Sequence, residues 1–279
     1  MGKVENYILE NLSKNKRLHF SLIDPDPAKL SIERIVERVK SLEKIGTHGI
    51  MVGGSTNVSQ GILDTTVTAI KSSCNVPVIL FPNGAATGIS KYADAIFFMS
   101  LLNSKDPLWI TKMQSIGAPA VKKARIEPIP MAYLIIEPGM KVSKVGKADL
   151  IKRDDYFTAA RYALASQYMG FRFVYLEAGS GANFPVYPKM IRTVKDFIDI
   201  PLIVGGGIRS REHALEALVS GADIIVTGTI IENDFSKVKE IIDTVNTFKF
   251  GKVEGKIKKF IFKKPQHKVK LYKHKRRRK

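Results

Sequence analysis

Cysteine is almost absent from this chain. Its 279 residues include one, Cys74, so there is neither an intrachain disulfide nor a cysteine metal cluster. A reducing compartment is then the default, and a cytoplasmic location is expected. Long apolar runs are missing too, with none approaching the ~18 residues of a membrane span. The first thirteen residues are polar and carry Glu5 and Glu10, which is not the pattern of a signal peptide. The five histidines show no metal-ligand spacing, and no Ser-His-Asp or Cys-His arrangement stands out. His19 sits inside an apolar run and reads as packed rather than catalytic.

Short β-type runs alternate with amphipathic helical stretches from end to end. That is the pattern of a parallel sheet with crossover helices. Strands are predicted at 18–23, 49–52, 78–81, 95–99, 131–137, 173–177, 202–204 and 224–227, and helices at 31–45, 60–73, 108–122, 155–169, 187–197, 210–219 and 235–247. Eight strands in about 250 residues predict one (β/α)8 barrel of the TIM type. The third helix is missing. Only residues 82–94 separate the third and fourth strands, which leaves room for an irregular crossover and predicts a flattened flank with a groove along it. The segment 137–154 is long for a strand-to-helix connection and rich in Gly, Lys and Ser. It reads equally well as a mobile flap and as a passive insertion.

The net charge of +19 is unevenly distributed. From Lys249 to the end there are fifteen Lys or Arg and one acid, Glu254. The chain therefore divides, on expectation, into a barrel domain of residues 1–248 and a basic, disordered C-terminal tail of residues 249–279. Three readings of the tail stay open: a solvated extension of no defined role, attachment to an anionic membrane surface at about 1 kcal/mol per cation, and salt-dependent RNA binding.

Glycines mark the first candidate site. Gly205-Gly206-Gly207 and Gly228-Thr229 each follow an apolar run and precede a helical stretch. Without a Cβ the backbone approaches an anion closely, and two such turns after the seventh and eighth strands are where a (β/α)8 barrel holds a phosphate. Other strand ends carry chemistry as well. Asp24, in Asp24-Pro25-Asp26-Pro27, suits Mg2+, which takes one or two carboxylates and leaves room for substrate phosphates. Ser55 and Thr56 offer hydroxyls to a phosphate or the metal, or an N-cap to the next helix. Tyr175 and Glu177 face the same way by alternation, and a carboxylate beside a phosphate-binding turn suits a general base. Gly179-Ser180-Gly181 would add donors to the same phosphate. Phe97, Phe98, Trp109, Asn103 and Ser104, with the 81–84 turn, would line an apolar channel on the flattened side, although aromatics at such spacing also serve as plain core.

Asp24-Pro25-Asp26-Pro27, Gly53-Gly54-Ser55, Asn103-Ser104 with Trp109, Tyr175-Leu176-Glu177, Gly205-Gly206-Gly207-Ile208 and Gly228 occur in an order and spacing that resembles the geranylgeranylglyceryl phosphate synthases of archaea and their bacterial PcrB relatives. The resemblance covers roughly residues 15–247. Ala178-Gly179-Ser180-Gly181 is similar to the larger archaeal branch. The PcrB-like branch has a lysine two residues before the metal aspartate, where this chain has Leu22. The resemblance implies a prenyltransferase that joins sn-glycerol 1-phosphate to geranylgeranyl diphosphate, or a similar polyprenyl diphosphate, with release of pyrophosphate. It implies Mg2+ on Asp24 and Ser55, and glycerol phosphate on Tyr175, Leu176, Glu177, Ala178, Gly179, Ser180, Gly181, Gly206, Gly207, Gly228 and Thr229. Glu177 would accept the hydroxyl proton, with Tyr175 catalytic or only binding. Phe97, Phe98 and Trp109 would form the prenyl groove, with Trp109 limiting its depth. Barrels of this kind associate through helix faces, so a homo-oligomer is expected. The alternatives are another phosphate-binding barrel enzyme, acting on a phosphorylated sugar or indole, and a barrel that binds nucleic acid through its tail.

Overall fold

Eight parallel strands close into a barrel in the computed structural model, which describes residues 2–53, 58–84 and 88–249. They are β1 (Leu18–Ile23), β2 (Gly49–Gly53), β3 (Val78–Phe81), β4 (Ala95–Leu101), β5 (Glu127–Ile135), β6 (Phe173–Glu177), β7 (Leu202–Gly205) and β8 (Ile224–Thr227). Each pairs with its sequence neighbour, and β8 closes on β1 with Leu18 opposite Ile224. Alternation fills the interior: Phe20, Met51, Ile79, Phe97, Met131, Phe173, Ile203 and Ile224 join one buried cluster. The barrel is thus a packed core with its chemistry confined to the strand C-terminal ends.

The outer layer comprises α2 (Ile32–Lys44), α3 (Gln60–Lys71), α4 (Met113–Ala124), α6 (Tyr156–Tyr168), α7 (Pro188–Phe197), α8 (Arg211–Val219) and α10 (Phe235–Thr247), with the short α5 (Met140–Val145) and α9 (Thr229–Asn233) at the mouth. Local sequence sets where they begin. Ser31, Ser59, Asp155, Ser210 and Asp234 each accept a hydrogen bond from an N–H of the first turn, which satisfies one of the donors a helix leaves unpaired. Among the described residues of 82–94 there is no helix. None of the described helices is long and apolar enough to cross a membrane.

Three elements depart from the sequence reading. The N-terminal segment forms α1 (Lys3–Ser13), which puts Val4 and Ile8 into the core cluster, and Glu127 at the start of β5 caps it by accepting from the N–H groups of Val4 and Glu5. Its buried Glu5 is ion-paired with Arg172 at 2.5 Å. Second, β5 starts at Glu127 and not at 131, despite Pro128 and Pro130. The partner β6 begins only at Phe173, opposite Met131, so this stretch is an edge on that side and a proline N has no ladder bond to lose. Third, the 137–154 segment, read as a connection without a helix of its own, is partly helical. It contains α5 and is tied down. The amide of buried Asn103 donates to the carbonyls of Ile135 and Asp149, and Ser104 Oγ donates to Gly146. Asn103 and Ser104 therefore fasten the rim and do not line a channel.

The face of β1 turned to the helices carries a buried polar knot. The His19 ring contacts Thr47 Oγ1 at 3.0 Å and Thr227 Oγ1 at 2.9 Å, and the backbone N–H of His19 donates to His48 Nδ1. Burial holds His19 down to about 3 and His48 to about 4. The unfolded chain takes up these protons near pH 6.5 and the folded one does not. The contribution of the two histidines to stability is therefore level above pH 6.5 and falls as pH drops from there toward 4, by about 1.4 kcal/mol per pH unit for each histidine. Urea unfolding at pH 7 and pH 5 should show this slope, and His48→Gln should remove about half of it. Equal slopes in the two proteins would contradict it.

Candidate active site

Glu177 ends β6 at the centre of the barrel mouth, 7% exposed. Its Oε1 accepts from the Gly179 N–H at 2.6 Å, and the hydroxyls of Tyr175 and Tyr133 donate to the same carboxylate. The two rings lie below it at 5.2 Å and 71°, with Phe81 5.6 Å from Tyr133. Gly205 makes room for this arrangement, because a Cβ there would fall on the Tyr175 hydroxyl. Burial raises the Glu177 pKa, and the three donated hydrogen bonds oppose the rise without cancelling it. Both tyrosines are pushed well above 10 by burial and then by the Glu177 charge, so they stay protonated donors. A buried carboxylate with an elevated pKa and a locked orientation is suited to accept a proton near neutral pH.

Beside it opens a small cleft of about 50 Å3, lined in part by Gly206, Gly207, Gly228, Thr229, Ser180 and Gly181. Gly206 and Gly207 have φ of 79° and 71°, and a Cβ on Gly207 would lie 2.6 Å from the Phe184 carbonyl. Ser180 and Thr229 share a hydroxyl hydrogen bond at 2.9 Å that joins the β6 turn to the β8 turn. Arg209 spans the cleft, with Nη2 donating to the Gly181 carbonyl at 2.6 Å. This concave set of small residues, hydroxyls and one guanidinium fits a phosphate.

The second cavity is a groove of about 470 Å3. It begins at Asp24 and Glu177 in the mouth and reaches the outer face of β4, where Ile96 and Phe98 meet Met113, Gly117 and Val121 of α4. Phe97 and Trp109 also line it, as do Val142 and Val145 of α5. Phe97 is fully buried, between Phe20 and Phe173, while Phe98 points outward along the flank. Trp109 belongs to a π-helical turn, Leu108–Lys112, whose carbonyls are tied to β4: Ser100 Oγ donates to Ile110, and Gln114 Nε2 donates to both Trp109 and Met99.

Asp24 lies at the groove entrance, its side chain 14% exposed. Oδ1 accepts from the Asp26 N–H and Oδ2 pairs with Lys29 Nζ at 2.5 Å. Among the described residues no three His, Cys, Asp or Glu side chains converge as a metal cage. A single rim carboxylate still fits Mg2+, which completes its shell with water and substrate phosphate oxygens. Ser55 and Thr56 lie outside the described residues, as does the chain from residue 250 onward.

Not every expected residue reaches the cavities. Leu176 is buried on the outer side of β6, as alternation requires, and Ala178 spends its N–H on Gly205 and its carbonyl on Gly139. Gly179 is occupied by Glu177 and abuts Met140, 2.7 Å from where its Cβ would stand. These three shape the turn and do not line it. The reading missed Tyr133, Lys29, Arg209, Lys141 and Glu232. Tyr133 was findable, since it sits opposite Tyr175 once the register is known. Arg209 adjoins the glycine run and carried the signal of its position. Lys29 and Glu232 had none.

Residues 10–247 match the PcrB family. The chain is 58% identical to the geranylgeranylglyceryl phosphate synthase of Thermococcus kodakarensis, an alignment covering 88% of this chain and 97% of that protein. It is 56% identical to the Pyrococcus abyssi protein of the same name, over 84% and 91%. Among solved structures, (S)-3-O-geranylgeranylglyceryl phosphate synthase from Thermoplasma acidophilum, in complex with its substrate sn-glycerol-1-phosphate, superposes with a TM-score of 0.83 at 45% identity, covering 89% of this chain and all of that one. A thiamine phosphate pyrophosphorylase from Pyrococcus furiosus, 15% identical with a TM-score of 0.52 over 82% of this chain and 95% of that one, shares the barrel fold.

Proposed function

Because this chain belongs to the PcrB family and is a prenyltransferase of the geranylgeranylglyceryl phosphate synthase kind, we propose that its two cavities hold the two substrates of that reaction, sn-glycerol 1-phosphate and geranylgeranyl diphosphate. One observation carries the assignment. Glu177 lines both cavities, so it faces the point where their contents meet. The cleft formed by Gly206, Gly207, Gly228 and Thr229, with Ser180, Gly181 and Arg209, takes the phosphate of the glycerol substrate. The groove along Phe97, Phe98 and Trp109, beside the crossover between β3 and β4, takes the prenyl chain. Its apolar wall keeps water from a carbon that gains positive charge as the leaving group departs.

Asp24, with Ser55 by family resemblance, would hold Mg2+ on the diphosphate, where the ion neutralises the leaving pyrophosphate. Glu177 takes the proton of the glycerol hydroxyl as its oxygen forms a bond to the terminal prenyl carbon. The carbon–oxygen bond to the diphosphate breaks, pyrophosphate leaves with the electron pair, and the proton ends on Glu177. Tyr175 and Tyr133 do not touch the reacting atoms in this scheme; they position the carboxylate. Incubation of the protein with both substrates and Mg2+ should give the ether-linked glyceryl phosphate and pyrophosphate, and EDTA should suppress both. No product at any prenyl length, with glycerol phosphate still bound, would keep the phosphate cleft and discard the reaction.

A further inference from the structure

The groove entrance has more acid than cation. Asp24, Glu177 and Glu232 line it, and among the described residues Lys29 and Lys141 are its cationic side chains. Lys141 belongs to α5, at the end of β5, on the opposite side of the barrel from β1. Lys29 stands beside Asp24 in the turn after β1, with its Nζ 2.5 Å from Asp24 Oδ2 and under the attraction of Glu232 as well. The two partners differ in freedom. The lysine side chain is 52% exposed and the carboxylate 14%. Asp24 is held in place by the Asp26 N–H, whereas the lysine is a flexible stem that reaches in from solvent.

A divalent cation and a lysine ammonium compete for the same carboxylate oxygen. When one binds Asp24, the other is released within reach of whatever the cation carries. Resting on the diphosphate reading above, we propose that Lys29 is a diphosphate-binding residue of the groove, stored on Asp24 and transferred to the diphosphate when the divalent cation takes that carboxylate. The exchange has two consequences. An empty entrance keeps its buried-side carboxylate neutralised, and a loaded one adds a second cation to the leaving group at no conformational cost beyond one side-chain rotation.

Calorimetric titration with inorganic pyrophosphate separates this role from plain charge at the rim. In Mg2+, Lys29→Met and Asp24→Asn each weaken binding about tenfold or more, and Lys29→Arg restores most of the loss. In EDTA the sign reverses for one of them: Asp24→Asn binds pyrophosphate several-fold more tightly than wild type, because the lysine is released. That gain disappears in the Asp24→Asn, Lys29→Met double variant. A gain of the same size in the double variant would show that lost carboxylate repulsion explains it, and would overturn the proposal. So would wild-type affinity of Lys29→Met in Mg2+. Failure of the wild type to bind pyrophosphate in Mg2+, with sn-glycerol 1-phosphate still bound, would instead remove the diphosphate reading itself.

Discussion

Glu177→Gln lowers kcat by about 10²–10⁴-fold, the range expected when a positioned proton acceptor is lost, and leaves the fold intact. Glutamine matches the shape of the carboxylate and keeps a carbonyl for the Gly179 N–H, while its NH2 meets tyrosine hydroxyls that can accept as well as donate. It cannot take a proton. The substrate cleft keeps its glycines and hydroxyls, so the KM for glycerol phosphate changes little. Wild-type activity should fall as pH drops through the raised Glu177 pKa, and this limb should be absent from the residual activity of the variant. Stability runs the other way. A carboxyl whose folded pKa is raised binds its proton more readily when folded, so its charged form opposes folding above that pKa. The variant should therefore melt no lower than wild type at pH 7.5. An inactive variant that also melts much earlier would show a structural role and undo the assignment of Glu177 as base.

Gly206→Ala is the second large effect, and it acts through the same carboxylate. Gly206 has φ of 79°, where an L residue costs about 1–2 kcal/mol. Its added methyl would fall on Glu177 Oε1 and 2.6 Å from the Gly179 N–H, the two groups that hold each other. They cannot both stay. Because a displacement of about 1 Å at a reacting group costs on the order of 100-fold, kcat/KM should fall at least that far, with a lowered melting midpoint. Gly228→Ala is the control for stability. Its methyl would meet only the Leu22 side chain at 3.5 Å, an ordinary contact, so its melting midpoint stays near wild type. Unchanged turnover in Gly206→Ala would mean that the Glu177–Gly179 geometry is not required.

Much of this site was legible because it rests on strand ends and glycines. A period-two pattern puts Glu177 on the same face as Tyr175, and the interior cluster follows that alternation. The glycine runs at 205–207 and 228 announced backbone that needs space, and a positive φ or a close approach accounts for three of the four. What stayed hidden depends on register and tertiary placement. Pro128 and Pro130 are residues a sheet interior excludes, and the late start of β6 makes them harmless. Asn103 looked like a rim residue for ligand, whereas its amide is spent on two backbone carbonyls. Polar α1 gave no sign that Val4 and Ile8 would reach the core, because two apolar residues one turn apart are common in any exposed helix. Leu176 and Ala178 show the converse: residues inside a matching motif whose side chains face away from the cleft.

The pairing of β1 with β8 has a consequence for how the protein is made. The strand that leaves the ribosome early waits for the one that leaves late: Leu18 to Ser21 meet Ile224 to Thr227 across some two hundred intervening residues. Until then both margins of the growing sheet are open, with unpaired backbone groups able to join another chain. Synthesis at about 5–20 residues per second makes that interval last on the order of ten seconds or more. The seam that completes the cylinder is thus also the point of greatest exposure during biosynthesis, and it closes only when the last strand, which carries the Gly228 turn, has emerged.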